Sequence, residues 1–287
     1  MTVLDSGGTR PPGASELALR IGSAIVLGAV ALISAWIGGA VLALVWLGAA
    51  IAVAAEWVTI TSIARRRLVI ALLAAILACL QISYLTRGGA EDSLLPVLSG
   101  VGVLLAVVAL VVVARSRRDR LWIWGGLIYA APLAIVPVLL RLHPTAGLWL
   151  LLWMFAVVWT TDVAAYFVGR ALGGPKLLPA VSPKKTWSGF VGGLFGGSFA
   201  GLGLAAFALS DRGIHAGEVA AVVALSGLAS LVSQAGDLAE SAMKRHFGVK
   251  DSGHLIPGHG GFMDRLDGFA AVAILVAIVM PFVGGFW

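Results

Sequence analysis

Apolar residues follow one another in long unbroken runs along this chain, with neither strict alternation nor narrow amphipathic stripes. Nine runs are long enough to cross a hydrocarbon core as helices: about 18–36, 38–56, 68–86, 94–114, 121–140, 147–169, 188–209, 217–240 and 265–286. In lipid each backbone N–H and C=O must pair internally, which leaves helices or a closed barrel. Barrel strands alternate apolar and polar positions, and these runs do not. The pattern therefore predicts an all-α polytopic transmembrane bundle of about nine spans. Only Gly38 and Gly39 separate the first two runs, and the eighth ends in polar residues.

Composition gives the same answer. Of 287 residues 60% are hydrophobic and 12% charged, and the mean hydropathy is +0.99. A water-exposed globule of this size could not hide so much apolar surface. A cytosolic enzyme, a disordered chain and a nucleic-acid reader are excluded, and no nucleic-acid partner is expected. The single cysteine, Cys79, lies inside an apolar run. It allows no intrachain disulfide and no Cys-rich zinc site, and reads as a small buried hydrophobe. Residues 1–17 are polar, include Pro11 and Pro12, and read as a cytoplasmic tail. The run that follows is too long for a cleavable signal peptide.

Charge sets the expected orientation. With nine spans, one side holds Arg10 and Arg20; Arg65, Arg66 and Arg67; Arg115, Arg117, Arg118 and Arg120; Arg170, Lys176, Lys184 and Lys185; Lys244, Arg245, Lys250 and Arg265. The other holds Arg87, Arg141 and Arg212, so 17 of the 20 cations share one side. The positive side is cytoplasmic. This puts the N-terminus inside and the C-terminus outside; the expected place is a multi-pass one in a bacterial-type inner membrane.

The chain divides into an N-terminal set of spans over 18–146, joined by short loops, and a C-terminal region over 147–287 where polar residues enter the spans. The second region is the expected catalytic part. Gly189, Gly193, Gly197 and Gly201 recur every fourth residue, with Gly192 and Gly196 beside them. Such a face lets a neighbouring helix approach closely. Packing inside the bundle is the first expectation, and a homodimer seam the second.

Charges within spans are costly and mark function. Glu56, Asp162, Asp237 and Glu240 all fall in the cytoplasmic half. Glu56 is expected to pair with the Arg65–67 cluster. Asp162, Tyr166 and Arg170 share a helical face at successive fourth positions. Asp237, Glu240, Ser241 and Lys244 likewise share one face of the eighth run. A Gly- and cation-rich loop follows, with Arg245, Lys250, His254 and His259, and Asp264, Arg265 and Asp267 open the ninth run. Asp237 and Asp264 thus end antiparallel helices on one membrane face, where two carboxylates suit Mg²⁺. Acids, cations and glycines in one short stretch compose a phosphoryl or nucleotidyl transfer site. The loop between runs six and seven adds Ser182, Lys184, Lys185 and Thr186, without the frame of a Walker loop.

These residues carry a resemblance. The stretch from Ser241 to Asp267, reading SAMKRHFGVKDSGHLIPGHGGFMDRLD, resembles the signature of phosphatidate cytidylyltransferases, also called CDP-diacylglycerol synthases. So do QAGDLAES from Gln234, DVAAYFVGR from Asp162 and SPKKTW from Ser182. Gly268 departs from the small polar residue expected there. The resemblance covers about residues 159–268.

It implies transfer of CMP from CTP to phosphatidate, giving CDP-diacylglycerol and pyrophosphate for phospholipid synthesis. It also implies Mg²⁺ and a second cation, which could be monovalent. Asp237 and Asp264 would hold metal and act catalytically with Lys244 and Arg265. Ser182, Lys184, Lys185, Thr186, Arg245, Lys250, His259 and Asp162 would bind substrate. Lys184 and Lys185 are expected on the nucleotide, and Lys244, Arg245 and Arg265 nearer the lipid phosphate. The partners are CTP, phosphatidate and membrane lipid. The alternatives are a membrane cation or organic-anion transporter, or a CTP-using lipid kinase. A CDP-alcohol phosphotransferase would need Asp-Gly-x-x-Ala-Arg, and here Phe269 follows Asp267-Gly268.

Overall fold

The computed structural model describes residues 14–86, 95–211, 213–257 and 260–283, with side chains from 18 to 279 of these. The expected contact at His259, most of the N-terminal tail, and Arg87 and Arg212 lie outside the described residues.

Among the described residues nine helices follow the nine apolar runs: α1 Ala14–Ile37, α2 Gly39–Ile60, α3 Arg66–Leu85, α4 Leu95–Val113, α5 Arg117–Arg141, α6 Gly147–Leu172, α7 Trp187–Ala208, α8 Ala216–His246 and α9 Met263–Val283. Among the described residues, α1 to α8 are long and apolar enough to cross a membrane. Helix α9 carries the same kind of run from Phe269 onward. Gly38 alone divides α1 from α2, with φ +70°. That left-handed backbone is open to glycine and costly for other residues.

Contacts between ends show how the helices alternate. Arg141, at the end of α5, donates from Nε to the Ala35 carbonyl near the end of α1 at 3.0 Å. At the opposite end, Ser23 of α1 donates to the Pro257 carbonyl in the α8–α9 loop at 3.2 Å. Glu56, near the end of α2, also reaches that loop. The ends of α2, α6 and α8 and the starts of α1, α7 and α9 therefore share one end of the bundle.

The two halves of the chain pack together. Trp46 of α2 stacks on Phe269 of α9 and Phe155 of α6, with centroids 4.6 and 6.0 Å apart. Gln81 of α3 donates to the carbonyls of Ala43 and Ala134, both at 2.9 Å, which ties α3 to α2 and α5. In an apolar interior such a bond also satisfies an otherwise stranded amide.

The glycine face of α7 lies inside the bundle. Gly189, Gly193, Gly197 and Gly201 are its buried residues. A Cβ at Gly193 would stand 3.0 Å from the Thr161 carbonyl and 3.1 Å from Gln234, so α6 and α8 both close on it. A short polar chain runs through this contact: Thr161 donates to Ser230 at 2.9 Å, and Ser230 to the Gly193 carbonyl at 3.1 Å. Helical glycine costs about 1 kcal/mol against alanine, and the close approach of three backbones offsets it.

One element is absent from the all-helical expectation. The α6–α7 loop forms a small antiparallel hairpin, β1 Lys176–Leu178 with β2 Ser182–Thr186. Gly173 and Gly174, at φ +61° and +97°, turn the chain out of α6 into it. Thr186 then caps α7, its hydroxyl accepting from Gly189 N–H at 3.1 Å.

Candidate active site

At the shared end of the bundle, α6, the hairpin, α7, α8 and α9 enclose a cavity of about 930 Å³. Its acids are Asp162, Asp237, Glu240, Asp251, Asp264 and Asp267, and its cations Arg170, Lys176, Lys184, Lys185, Lys244 and Arg265. Six of each sign come together in a wall otherwise built from membrane helices.

Each contributor arrives for a local reason. Asp162, Tyr166 and Arg170 line the cavity because α6 places every fourth residue on one face. Arg170 donates to the Tyr166 hydroxyl at 2.8 Å. The hairpin swings β2 over α8, where Lys185 forms an ion pair with Asp237. One turn on, Glu240 meets Lys244 at 2.7 Å, an i, i+4 pair within α8. Lys244 also reaches Asp264 of α9 at 2.6 Å.

Asp264 is densely held. Its Oδ2 accepts from the N–H groups of Ser252 and Gly261, both at 2.9 Å, and lies 2.9 Å from the Ser252 hydroxyl. Asp237, Glu240 and Asp267 form a different group. One oxygen from each lies within 4.8 Å of the others, so these three acids converge on one point. Glu240 Oε1 is buried and has no hydrogen-bond partner among the described residues. A stranded carboxylate oxygen beside two more acids is costly unless a cation joins them. Oxygen donors in this number suit a hard divalent ion that keeps some water.

The structure thus gathers Asp162, Lys184, Lys185, Thr186, Asp237, Lys244, Asp264 and Arg265 on one cavity. Ser182 stands at the start of β2 and is not part of the wall, while Arg245 and Lys250 are exposed beyond it. Arg245 turns to the Val249 carbonyl at 3.4 Å. Sequence reasoning left Glu240 and Asp267 out of the metal group, although their spacing from Asp237 and Asp264 places them one turn away. Lys176, Asp251 and Gln234 also line the cavity without having been singled out for it.

Glu56 needs a correction. It does not pair with Arg65, Arg66 or Arg67. Its carboxylate accepts from Ser252 Oγ at 2.8 Å, Phe262 N–H at 3.0 Å and Met263 N–H at 2.8 Å. The start of α9 packs over the end of α2 and offers free amide donors, which hold the acid inward and away from the arginines.

A bundle of long apolar helices that gathers six acids and six cations on one cavity is built to hold a charged, polar substrate at the end of its membrane spans. Comparison with known proteins makes this specific. The profile of the Cytidylyltransferase family matches residues 18–283, and the chain belongs to that family. It is 41% identical over 265 residues to the phosphatidate cytidylyltransferase of Brucella suis biovar 1 (strain 1330), covering 91% of this chain and 92% of that protein. The same figures hold for the phosphatidate cytidylyltransferase of Brucella abortus (strain 2308). That of Staphylococcus aureus (strain COL) is 42% identical over 134 residues, 47% of this chain and 50% of its own.

Proposed function

We propose that this chain transfers CMP from CTP to phosphatidate, giving CDP-diacylglycerol and pyrophosphate for phospholipid synthesis. The observation that carries the reading is the convergence of acids and cations from α6, the hairpin, α8 and α9 on one cavity, in a chain similar to phosphatidate cytidylyltransferases along nearly its whole length.

The reaction requires little covalent help. A phosphate oxygen of phosphatidate attacks the α-phosphorus of CTP, and the bond from that phosphorus to the bridging oxygen breaks. Pyrophosphate leaves with the electron pair. The nucleophile is already ionised, so no side chain need activate it. The protein must bring two anions together, align the attack and stabilise the charge that moves to the leaving group.

The residues divide that work. Lys184 and Lys185, on β2, offer point charges to the triphosphate. Lys244 and Arg265 stand at the junction of α8 and α9 and serve the lipid phosphate, with Arg245 and Lys250 at the approach. Lys185 and Lys244 rest on Asp237 and Asp264 and can turn to phosphate oxygens when those arrive. Asp237, Glu240 and Asp267 would hold Mg²⁺, with Asp264 beside them; bound there, the ion would supply positive charge against the phosphates and the leaving group. The cavity's own acids and cations are equal in number, so the incoming negative charge calls for such an ion. A second, monovalent cation at the same acids completes the proposal.

The cavity faces the cytoplasm, where CTP is available, and the lipid enters sideways from the inner leaflet. The cation bias of 17 to 3 supports this orientation. A transporter would place its coupling acids at mid-span in both halves, whereas all the cavity acids come from the C-terminal half.

The test is an assay in detergent with phosphatidate and CTP labelled at either the α- or the γ-phosphate. Label from the α position should enter the lipid, and γ label should leave as pyrophosphate. Transfer of the γ label to lipid would make the protein a lipid kinase.

A further inference from the structure

We infer that Glu56, from the N-terminal half of the chain, is a positioning residue for the transfer reaction, holding the first turn of α9 and its two acids in place. It contributes nothing to the cavity wall and acts through other groups.

The geometry is specific. Glu56 is 5% exposed and lies one turn before the end of α2. Phe262 and Met263 present N–H groups at the start of α9, where the helix itself has no acceptors for them. Glu56 accepts both, and its negative charge meets the positive end of the helix dipole. An acid from another helix therefore caps these two donors of α9. Asp264 follows Met263 directly, and Asp267 comes a turn later.

A second connection runs through Ser252. Its hydroxyl lies 2.8 Å from Glu56 Oε2 and 2.9 Å from Asp264 Oδ2. One hydroxyl hydrogen serves one acid at a time. Asp264 Oδ2 already accepts from two backbone N–H groups, so the hydroxyl is free for Glu56. Ser252 Oγ in turn accepts from Asp264 N–H at 3.3 Å. Glu56, Ser252 and Asp264 form one continuous network that reaches Lys244 and, through it, Glu240.

The loop is shaped around this carboxylate. A Cβ at Gly261 would stand 2.5 Å from Glu56 Oε2, and one at Gly253 would stand 2.7 Å from Oε1. Among the described residues no Lys or Arg pairs with Glu56, so backbone and hydroxyl donors alone hold it. Replacing the carboxylate by an amide leaves at least one of the three donors facing an NH₂ and weakens the hold on the acids of the site.

The inference rests on Asp264 and Lys244 being site residues, and the experiment separates the two ideas. Full-length Glu56→Gln, Glu56→Asp, Ser252→Ala and Asp264→Asn are purified, and kcat and the CTP KM are measured for each. Gln keeps one acceptor oxygen and turns an NH₂ toward an N–H donor. A folded Glu56→Gln should lose about 10- to 100-fold in kcat, the scale for partners that orient a ligating group, with the CTP KM little changed. Glu56→Asp should keep more activity than Gln. The Glu56→Gln/Ser252→Ala pair should be no slower than its slower single variant, because both act through one network.

Unchanged kcat in Glu56→Gln while Asp264→Asn is inactive overturns the inference alone. Multiplying effects in the double variant also overturn it. Full activity in Asp264→Asn removes the site reading and the inference with it. If Glu56→Gln does not fold, Ser252→Ala decides: a folded Ser252→Ala with unchanged kcat overturns the inference, and one with reduced kcat at unchanged KM supports it.

Discussion

Lys244 Nζ lies 2.6 Å from Asp264 Oδ1 and 2.7 Å from Glu240 Oε2, so one cation fastens the end of α8 to the start of α9. Its side chain is 12% exposed and those of the acids 1% and 8%, which leaves little water to screen the contact. Removing one partner of such a group leaves the others buried with uncompensated charge. Lys244→Met should therefore cost roughly 3 kcal/mol of stability and abolish most turnover. Thermal unfolding in detergent and initial rates check the two parts separately. A folded Lys244→Met enzyme with normal turnover would assign Lys244 to the fold alone.

The acid group formed by Asp237, Glu240 and Asp267 predicts a response to metal that needs no catalysis to observe. Mg²⁺ binding to the folded state should raise the unfolding midpoint of the purified protein. Asp237→Asn and Asp267→Asn should lose that shift, because each removes one of three converging carboxylates. Asp264→Asn should keep part of it, since Asp264 is already engaged by Lys244, Ser252 and Gly261. A lost shift in Asp264→Asn with a full shift in Asp267→Asn would transfer the metal to Asp264. Chelation should stop the reaction in every active variant.

Lys184 and Lys185 come from the hairpin and not from α8 or α9, which predicts that their loss acts on the nucleotide. Lys184→Ala should raise the CTP KM with the phosphatidate dependence unchanged. Lys185→Ala should do the same and also lower kcat, because it leaves Asp237 without its ion-pair partner. Steady-state kinetics with each substrate varied in turn test both. A raised phosphatidate KM at constant CTP KM would reverse the assignment.

Much of this arrangement is legible in the sequence, because lipid imposes simple rules. Long apolar runs gave the helices α1 to α9, and the glycine spacing of α7 correctly placed that face inside the bundle. The acids of the site were visible as charges where charges are expensive. What the sequence could not show was which acid meets which partner. Glu56 lies closer in sequence to Arg65–67 than to Ser252, yet the fold brings it 2.8 Å from Ser252, 196 residues away. The convergence of Glu240 and Asp267 likewise depends on how α8 and α9 cross, which periodicity does not fix. The hairpin escaped notice because its strands are short and contain Pro183, a residue that suits only a strand edge.

The cation bias predicts which side of the membrane the cavity opens to. Lys250 is exposed in the α8–α9 loop and lines no part of the cavity, so a cysteine there is open to a reagent on the side that the loop faces. With Cys79 replaced first, Lys250→Cys should react with a membrane-impermeant maleimide in inside-out vesicles and remain unlabelled in intact cells. Labelling from outside intact cells would invert the orientation.

Asp162 stands apart from the ligand cluster and still faces the cavity. It shares a face of α6 with Tyr166 and Arg170, and all three line the same space. A purely structural role would be a bridge to Arg170, but eight residues span about 12 Å of helix. Arg170 instead donates to the Tyr166 hydroxyl four residues earlier. An acid on a membrane helix that does not serve this bridge is expected to act on the cavity's contents. Lys185 and Asp237 line the same cavity, so Asp162 is placed to steer the lysine as it leaves Asp237 for a phosphate. Asp162→Asn keeps the shape and removes the charge. The variant should fold with an unfolding midpoint close to that of the parent and turn over at least about tenfold more slowly, the lower range for outer partners of a catalytic group. Comparison of folding and of kcat in the same preparation decides the matter. A stable Asp162→Asn enzyme with full activity would show that the charge at this position plays no part in the reaction.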